Sequence, residues 1–154
     1  MLEELFFLTG LANSLLLIAI FLLVKGKRMD DVKRVGLLYL GLAVPALYGL
    51  YLVAQEQKAW QYGVFLGIFL AFLALEALYD FILRLDFRNS WKLVMPYGAL
   101  YIAMNYGFVV MVWKYYSQAA GILMLGLAIV QIGVNIWASH PGLLRRLPGL
   151  RHGE

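Results

Sequence analysis

Glu76, Asp80, Arg84 and Arg88 recur every four residues within the stretch 72–92, and theirs are the residue types and spacing in this chain best suited to proton or ion chemistry. Side chains four apart on an α-helix lie one above another on a single face, so the spacing predicts a charged ladder. Glu76 stands eight residues before Arg84, which puts its carboxyl group about 12 Å deeper along the helix axis at 1.5 Å per residue. The apolar residues that precede it place that depth inside a membrane. A carboxyl group there is costly when charged and is expected to face protein rather than lipid.

Further polar side chains interrupt otherwise apolar runs. Asn13 is a primary amide near mid-membrane and needs a partner on another helix, because hydrocarbon offers it none. Tyr97, Tyr101 and Asn105 repeat every four residues, as do Gln131 and Asn135. Counted from the basic end of each helix, Glu76, Tyr101 and Gln131 share one depth, Asp80, Asn135 and Tyr97 a shallower one, and Asn13 and Asn105 a deeper one, with Tyr48 and Thr9 beyond. These depths predict a polar seam through a helical bundle. Candidate ligand-binding or proton-gating residues are therefore Glu76, Asp80, Tyr101, Asn105, Gln131, Asn135 and Asn13.

The elements that must position them follow from composition. Hydrophobic residues make up 63% of the 154 and charged residues 14%, with a mean hydropathy of +0.77, outside the range of ordinary soluble domains. A hydrocarbon core needs about 20 helical residues to cross, and five runs suffice: 5–24, 35–54, 62–83, 93–113 and 119–138. The expected fold is all-α, a single domain of five transmembrane helices with a short tail at 139–154. Pro45 is expected to kink the second helix, and Pro96 to sit in the first turn of the fourth, behind a cap from Asn89 or Ser90. Gly63, Gly67 and Ala71 form a small-residue face on the third helix, roughly opposite Glu76. That pattern makes the third helix central to the bundle, or alternatively the seam of a homodimer.

Charge sets the orientation. Eleven of the thirteen Lys and Arg fall on one side of the five spans, namely Lys25, Lys27, Arg28, Lys33, Arg34, Arg84, Arg88, Lys92, Arg145, Arg146 and Arg151, against Lys58 and Lys114 on the other. Basic loops stay cytoplasmic, so the amino terminus is expected outside and the carboxyl terminus in the cytoplasm, the setting being a prokaryotic cytoplasmic membrane. The net charge of +4 then marks a membrane rim and not a nucleic-acid surface.

Several chemistries are disfavoured. The chain has no cysteine, which removes disulfide exchange and thiolate metal ligation. Its two histidines, His140 and His152, lie at the end of the last helix and in the tail and assemble no metal site; no cofactor is expected. Neither Gly-x-Ser-x-Gly nor a Gly-rich phosphate loop is present. Three readings remain: a protein that binds or translocates a small or lipid-like ligand through a polar pocket around Glu76, a non-catalytic assembly subunit of a membrane complex, and an intramembrane lipid-modifying enzyme using Glu76 or Asp80 as acid or base.

Because the chain lacks native thiols, its topology is directly testable. Lys58→Cys and Lys114→Cys are expected to react with an impermeant maleimide on intact cells, whereas Lys27→Cys and Arg88→Cys react only after lysis. The opposite pattern would invert the orientation.

Overall fold

The structure, a computed structural model, describes residues 1–82 and 91–139, leaving aside the side chains at 80–82, 91–93 and 139. Arg84, Arg88, Asn89, Ser90, His140, His152, the rest of the tail and the side chain of Asp80 thus lie outside the described residues. All the described secondary structure is helical: α1 (Leu2–Lys25), α2 (Met29–Leu40), α3 (Ala43–Gln55), α4 (Trp60–Glu76), a π-helical segment (Ala77–Ile82), α5 (Trp91–Tyr115) and α6 (Gln118–Ser139). Among the described residues five helical stretches are long and apolar enough to span a membrane, with α2 and α3 together forming the second.

That second span starts at Met29, six residues before the expected Val35, and is interrupted at Gly41 and Leu42. The cause is Pro45, which has no N–H for the Gly41 carbonyl and whose ring crowds that same group. Val44 N–H donates to it instead, at 3.1 Å, in a tighter turn. Pro96, by contrast, is not in the first turn. Since α5 begins at Trp91, the proline falls inside the helix, where it leaves one carbonyl of the preceding turn without its backbone donor.

The third span also departs from a uniform α-helix. After Glu76 the backbone widens into six residues of π-helix, whose i to i+5 bonding removes the four-residue stacking on which a continuous charged ladder depends. Glu76 ends the regular part, on the buried stripe Tyr62, Leu66, Phe69, Phe72, Leu73 and Glu76. The stripe advances by three and four residues, so the carboxyl side chain inherits the inward direction of the aromatic rings before it.

The hub of the bundle is α1, not the third span. Two adjoining stripes of α1 are buried, one through Leu2, Phe6, Thr9, Asn13 and Ile20 and one through Gly10, Ser14, Leu17 and Phe21, and α1 packs against α2, α3, α5 and α6. By comparison α6 buries a single stripe, Gly121, Met124, Ala128 and Gln131. The Gly63, Gly67 and Ala71 face does not serve close packing within the chain: Gly67 and Ala71 are exposed, and a Cβ added at Gly67 would meet nothing. Close approach occurs at Gly121 instead, where a Cβ would come within 2.7 Å of the Trp113 Cα. The short turn between α5 and α6, in which Tyr116 and Ser117 both donate to the Val112 carbonyl at 3.0 Å, forces the two backbones together at that point.

The two ends of the bundle differ. At one, Lys58 donates to Glu3 at 2.9 Å and lies 3.7 Å from Glu56, tying the α3–α4 loop to the start of α1; the Glu3 hydrogen bond raises the Lys58 pKa above its ordinary value. Phe7 stacks on Tyr116 there, with ring centroids 5.0 Å apart. At the other end Lys25 lies over the Trp137 ring, 4.8 Å from its centroid. There α1 closes through Lys27, a non-glycine residue at φ 57°, with Arg28 N–H donating to the Leu23 carbonyl at 3.0 Å.

Gly121→Ala is expected to force α5 and α6 apart and lower stability by about 1–3 kcal/mol, whereas Gly67→Ala leaves the monomer unchanged. Thermal unfolding in detergent compares the two. A larger loss at Gly67 would show that this face is covered by a second chain.

Candidate functional site

The core has an aromatic half and a polar half. Toward the Glu3–Lys58 end, Phe6 packs edge-on to Tyr62 at 5.1 Å and beside Phe108 at 5.0 Å, Phe69 meets Phe108 at 5.3 Å, and Tyr62 meets Tyr115 at 5.4 Å. Phe6, Tyr62, Phe69 and Phe108 are all buried. Together they form a plug. Tilted and edge-to-face contacts of this kind contribute about 0.5–1.5 kcal/mol each beyond area burial.

Toward the Lys25–Trp137 end the core turns polar. Asn13 is fully buried and accepts a hydrogen bond at its Oδ1 from the Tyr39 hydroxyl, 2.9 Å away. This is the cross-helix partner the amide requires, and it comes from α2. Across the bundle, Gln131 Nε2 on α6 donates to the Tyr101 hydroxyl on α5 at 2.8 Å, and Asn135 hydrogen-bonds the same hydroxyl. Phe72 lies between the two groups, its ring 6.5 Å from Tyr39, 6.0 Å from Tyr101 and 5.1 Å from Tyr97. Glu76 follows Phe72 by one turn on the same buried stripe, and its carboxyl is close enough to act electrostatically on the Tyr39 hydroxyl. All five spans therefore supply polar groups to one end of the core.

The expected residues divide as follows. Asn13, Glu76, Tyr101 and Gln131 are buried in this polar half, and Asn135 is half-buried beside them. Asn105 is buried, but its Nδ2 donates to the Tyr101 carbonyl of its own helix at 2.9 Å, and Thr9 likewise donates to its own Leu5 carbonyl at 2.7 Å. These two satisfy themselves within one turn, a local option open to short polar side chains on helices. Tyr48 is not part of the seam: it is 48% exposed and stacks on Tyr51 on the outer surface. The residue the sequence pattern misses is Tyr39. A lone tyrosine near a basic loop is chemically the same as an interfacial anchor, and no spacing with another polar residue marks it as inward.

Not all the buried polar capacity is matched. Asn13 Nδ2, Ser14 Oγ and Gln131 Oε1 have no hydrogen-bond partner among the described residues, although Asn13 and Gln131 are fully buried and Ser14 is 1% exposed. An unmatched amide or hydroxyl in a low-dielectric core costs about 1–3 kcal/mol. Among the described residues no group of three His, Asp or Glu is placed to hold a metal ion. Comparison with protein families, with curated proteins and with solved structures gives no match for this chain.

The Asn13–Tyr39 bond is expected to be the principal tie of α2 to the bundle. A double-mutant cycle with Tyr39→Phe and Asn13→Leu, read by unfolding in detergent, should give a coupling of about 0.5–1.5 kcal/mol. Additive single-variant effects would show that the bond contributes nothing.

Proposed function

We propose that this chain is a membrane-embedded binding protein for a small or lipid-like ligand with a polar group, held in the polar half of the core around Glu76. The observation that carries this reading is the unmatched capacity of three buried side-chain atoms, Asn13 Nδ2, Ser14 Oγ and Gln131 Oε1, in the interior of the bundle. A donor and a hydroxyl on α1 and an acceptor on α6 are thus left over on either side of Phe72. A ligand with its own donor and acceptor offsets their desolvation, and a buried carboxyl group beside them adds a strong acceptor or a proton. The aromatic plug blocks the opposite end, so the geometry favours a site reached from the Lys25–Trp137 end over a continuous channel. Carriage across the membrane then requires the plug to rearrange.

A second reading, an assembly subunit or homodimer, is favoured by one observation: Gly67 and Ala71 lie open on the outside of the bundle. Small residues left on a lipid-facing surface suit close approach by another helix.

Native mass spectrometry of the purified protein separates these readings. The first expects a retained small molecule or lipid, lost in Gln131→Leu and weakened at least about tenfold in Glu76→Gln, which keeps shape but removes the proton site; since Gln131→Leu also breaks the Nε2 bond to Tyr101, Glu76→Gln is the variant that separates ligand loss from a loss of packing. Complete tolerance of both substitutions would make these residues structural. A ligand-free dimer would favour the assembly reading.

A further inference from the structure

α2 packs against α1 but buries less of itself than the other helices, with Val32, Val35 and Leu40 only half-buried against the core. Of its twelve residues only Tyr39 is buried. Leu37 and Leu38 are each 67% exposed, and Lys33 and Arg34, one turn before them on the same outward face, are exposed as well. At its far end α2 meets the Gly41–Leu42 interruption, where Pro45 removes a helical hydrogen bond. Toward Lys25 it ends in the short loop closed by Lys27. A half-helix with a break at one end, one fully buried side chain and only partial contacts from Val32, Val35 and Leu40 is the span segment best suited to move, because its displacement uncovers little buried surface.

What lies behind it is the polar half of the core. Tyr39 reaches between α1 and α4, with its hydroxyl on Asn13 and its ring against Phe72. Removing that side chain from its place uncovers Asn13, whose Nδ2 has no partner. It also uncovers the α1 face that continues through Ile20 toward the basic end, since positions 13 and 20 are two turns apart on one side of the helix.

Resting on the ligand-binding reading above, we propose that the ligand is a phosphate-bearing lipid amphiphile that enters sideways from the bilayer, past α2, with the Tyr39–Asn13 hydrogen bond as the latch and Gly41–Leu42 as the hinge. The charge at the mouth fits this occupant: Lys33 and Arg34 stand where a phosphate at the membrane surface would meet them, and Leu37 and Leu38 face its acyl chains. The unmatched amide, hydroxyl and carboxamide oxygen then receive the uncharged donors and acceptors of its head group. An ion or a freely soluble solute would need an aqueous mouth and would have no use for an apolar, loosely held wall.

The absence of native cysteine allows a direct test in liposomes. Ile20→Cys places a thiol at a buried position two turns beyond Asn13 on α1, and Met111→Cys places one at a buried position one turn from Phe108 on α5, as a control. Two probes are applied, a maleimide carried on the head group of a phosphatidylethanolamine in the bilayer and a water-soluble maleimide. The lipid-borne probe is expected to label Ile20→Cys faster than the soluble one does. Tyr39→Phe, which keeps the ring and deletes the latch, should raise that rate about 2- to 10-fold, the factor expected from the net worth of one hydrogen bond. Lys33→Gln with Arg34→Gln should lower it, and Met111→Cys should not respond to Tyr39→Phe. Soluble-probe labelling as fast as lipid-borne labelling, indifference to Tyr39→Phe, or equal acceleration at Met111→Cys would each overturn the sideways route. Latch-dependent labelling in a protein that retains no ligand by mass spectrometry would instead uphold the moving helix and overturn the binding site.

Discussion

Asn13 holds a primary amide at the centre of a bundle whose surroundings are hydrocarbon, and much of the arrangement follows from meeting that one demand. Its Oδ1 is satisfied by Tyr39 at 2.9 Å. Tyr39 arrives there from α2, which packs against α1, and the break that Pro45 makes at Gly41 and Leu42 leaves α3 packed against α1 and α4. In water either group would find a solvent partner. Inside a membrane no solvent partner replaces the bond, so it ties α2 to α1 while it is formed. The other half of the amide, Nδ2, is left unmatched, so one residue both organises the fold and opens the question of function.

Packing elsewhere relies on shape. Since lipid tails are as apolar as leucine, helices gain little by leaving them, and what remains is dispersion, aromatic geometry and close backbone approach. The plug of Phe6, Tyr62, Phe69 and Phe108 supplies the second, and Gly121 against Trp113 the third. The large apolar side chains that cover the outside, among them Leu37, Val44, Ile102 and Ile129, are the complement of this arrangement: they face lipid and contribute to solubility in it rather than to the core. Division of the interior into an aromatic end and a polar end separates the ring packing from the unmatched polar groups. The aromatic end is also where the Glu3–Lys58 pair fastens the loop, while the polar end is bordered by the sparsely held α2 and by the π-helical segment after Glu76. Such segments are frequent at functional sites because they redirect side chains without ending the helix.

The sequence by itself determined that five helical stretches have the length and composition to cross a membrane, because length and apolarity are local quantities that need no knowledge of neighbours. It determined the break at Pro45 for the same reason, a missing N–H being a property of one residue. It also pointed to Asn13, Glu76, Tyr101 and Gln131 as inward, since a polar group in hydrocarbon has few other places to go. Only the tertiary structure decided which of these groups meet. Tyr39 is chemically ordinary until α1 is beside it, Asn105 and Thr9 turn to their own backbones instead of the seam, and Tyr48 sits at an eligible depth but on the outward face. Gly67 and Gly121 are identical as letters. One meets open space and the other a tryptophan backbone, because close approach depends on where the neighbouring axis passes, and that is fixed by turn length and helix crossing rather than by the residue itself.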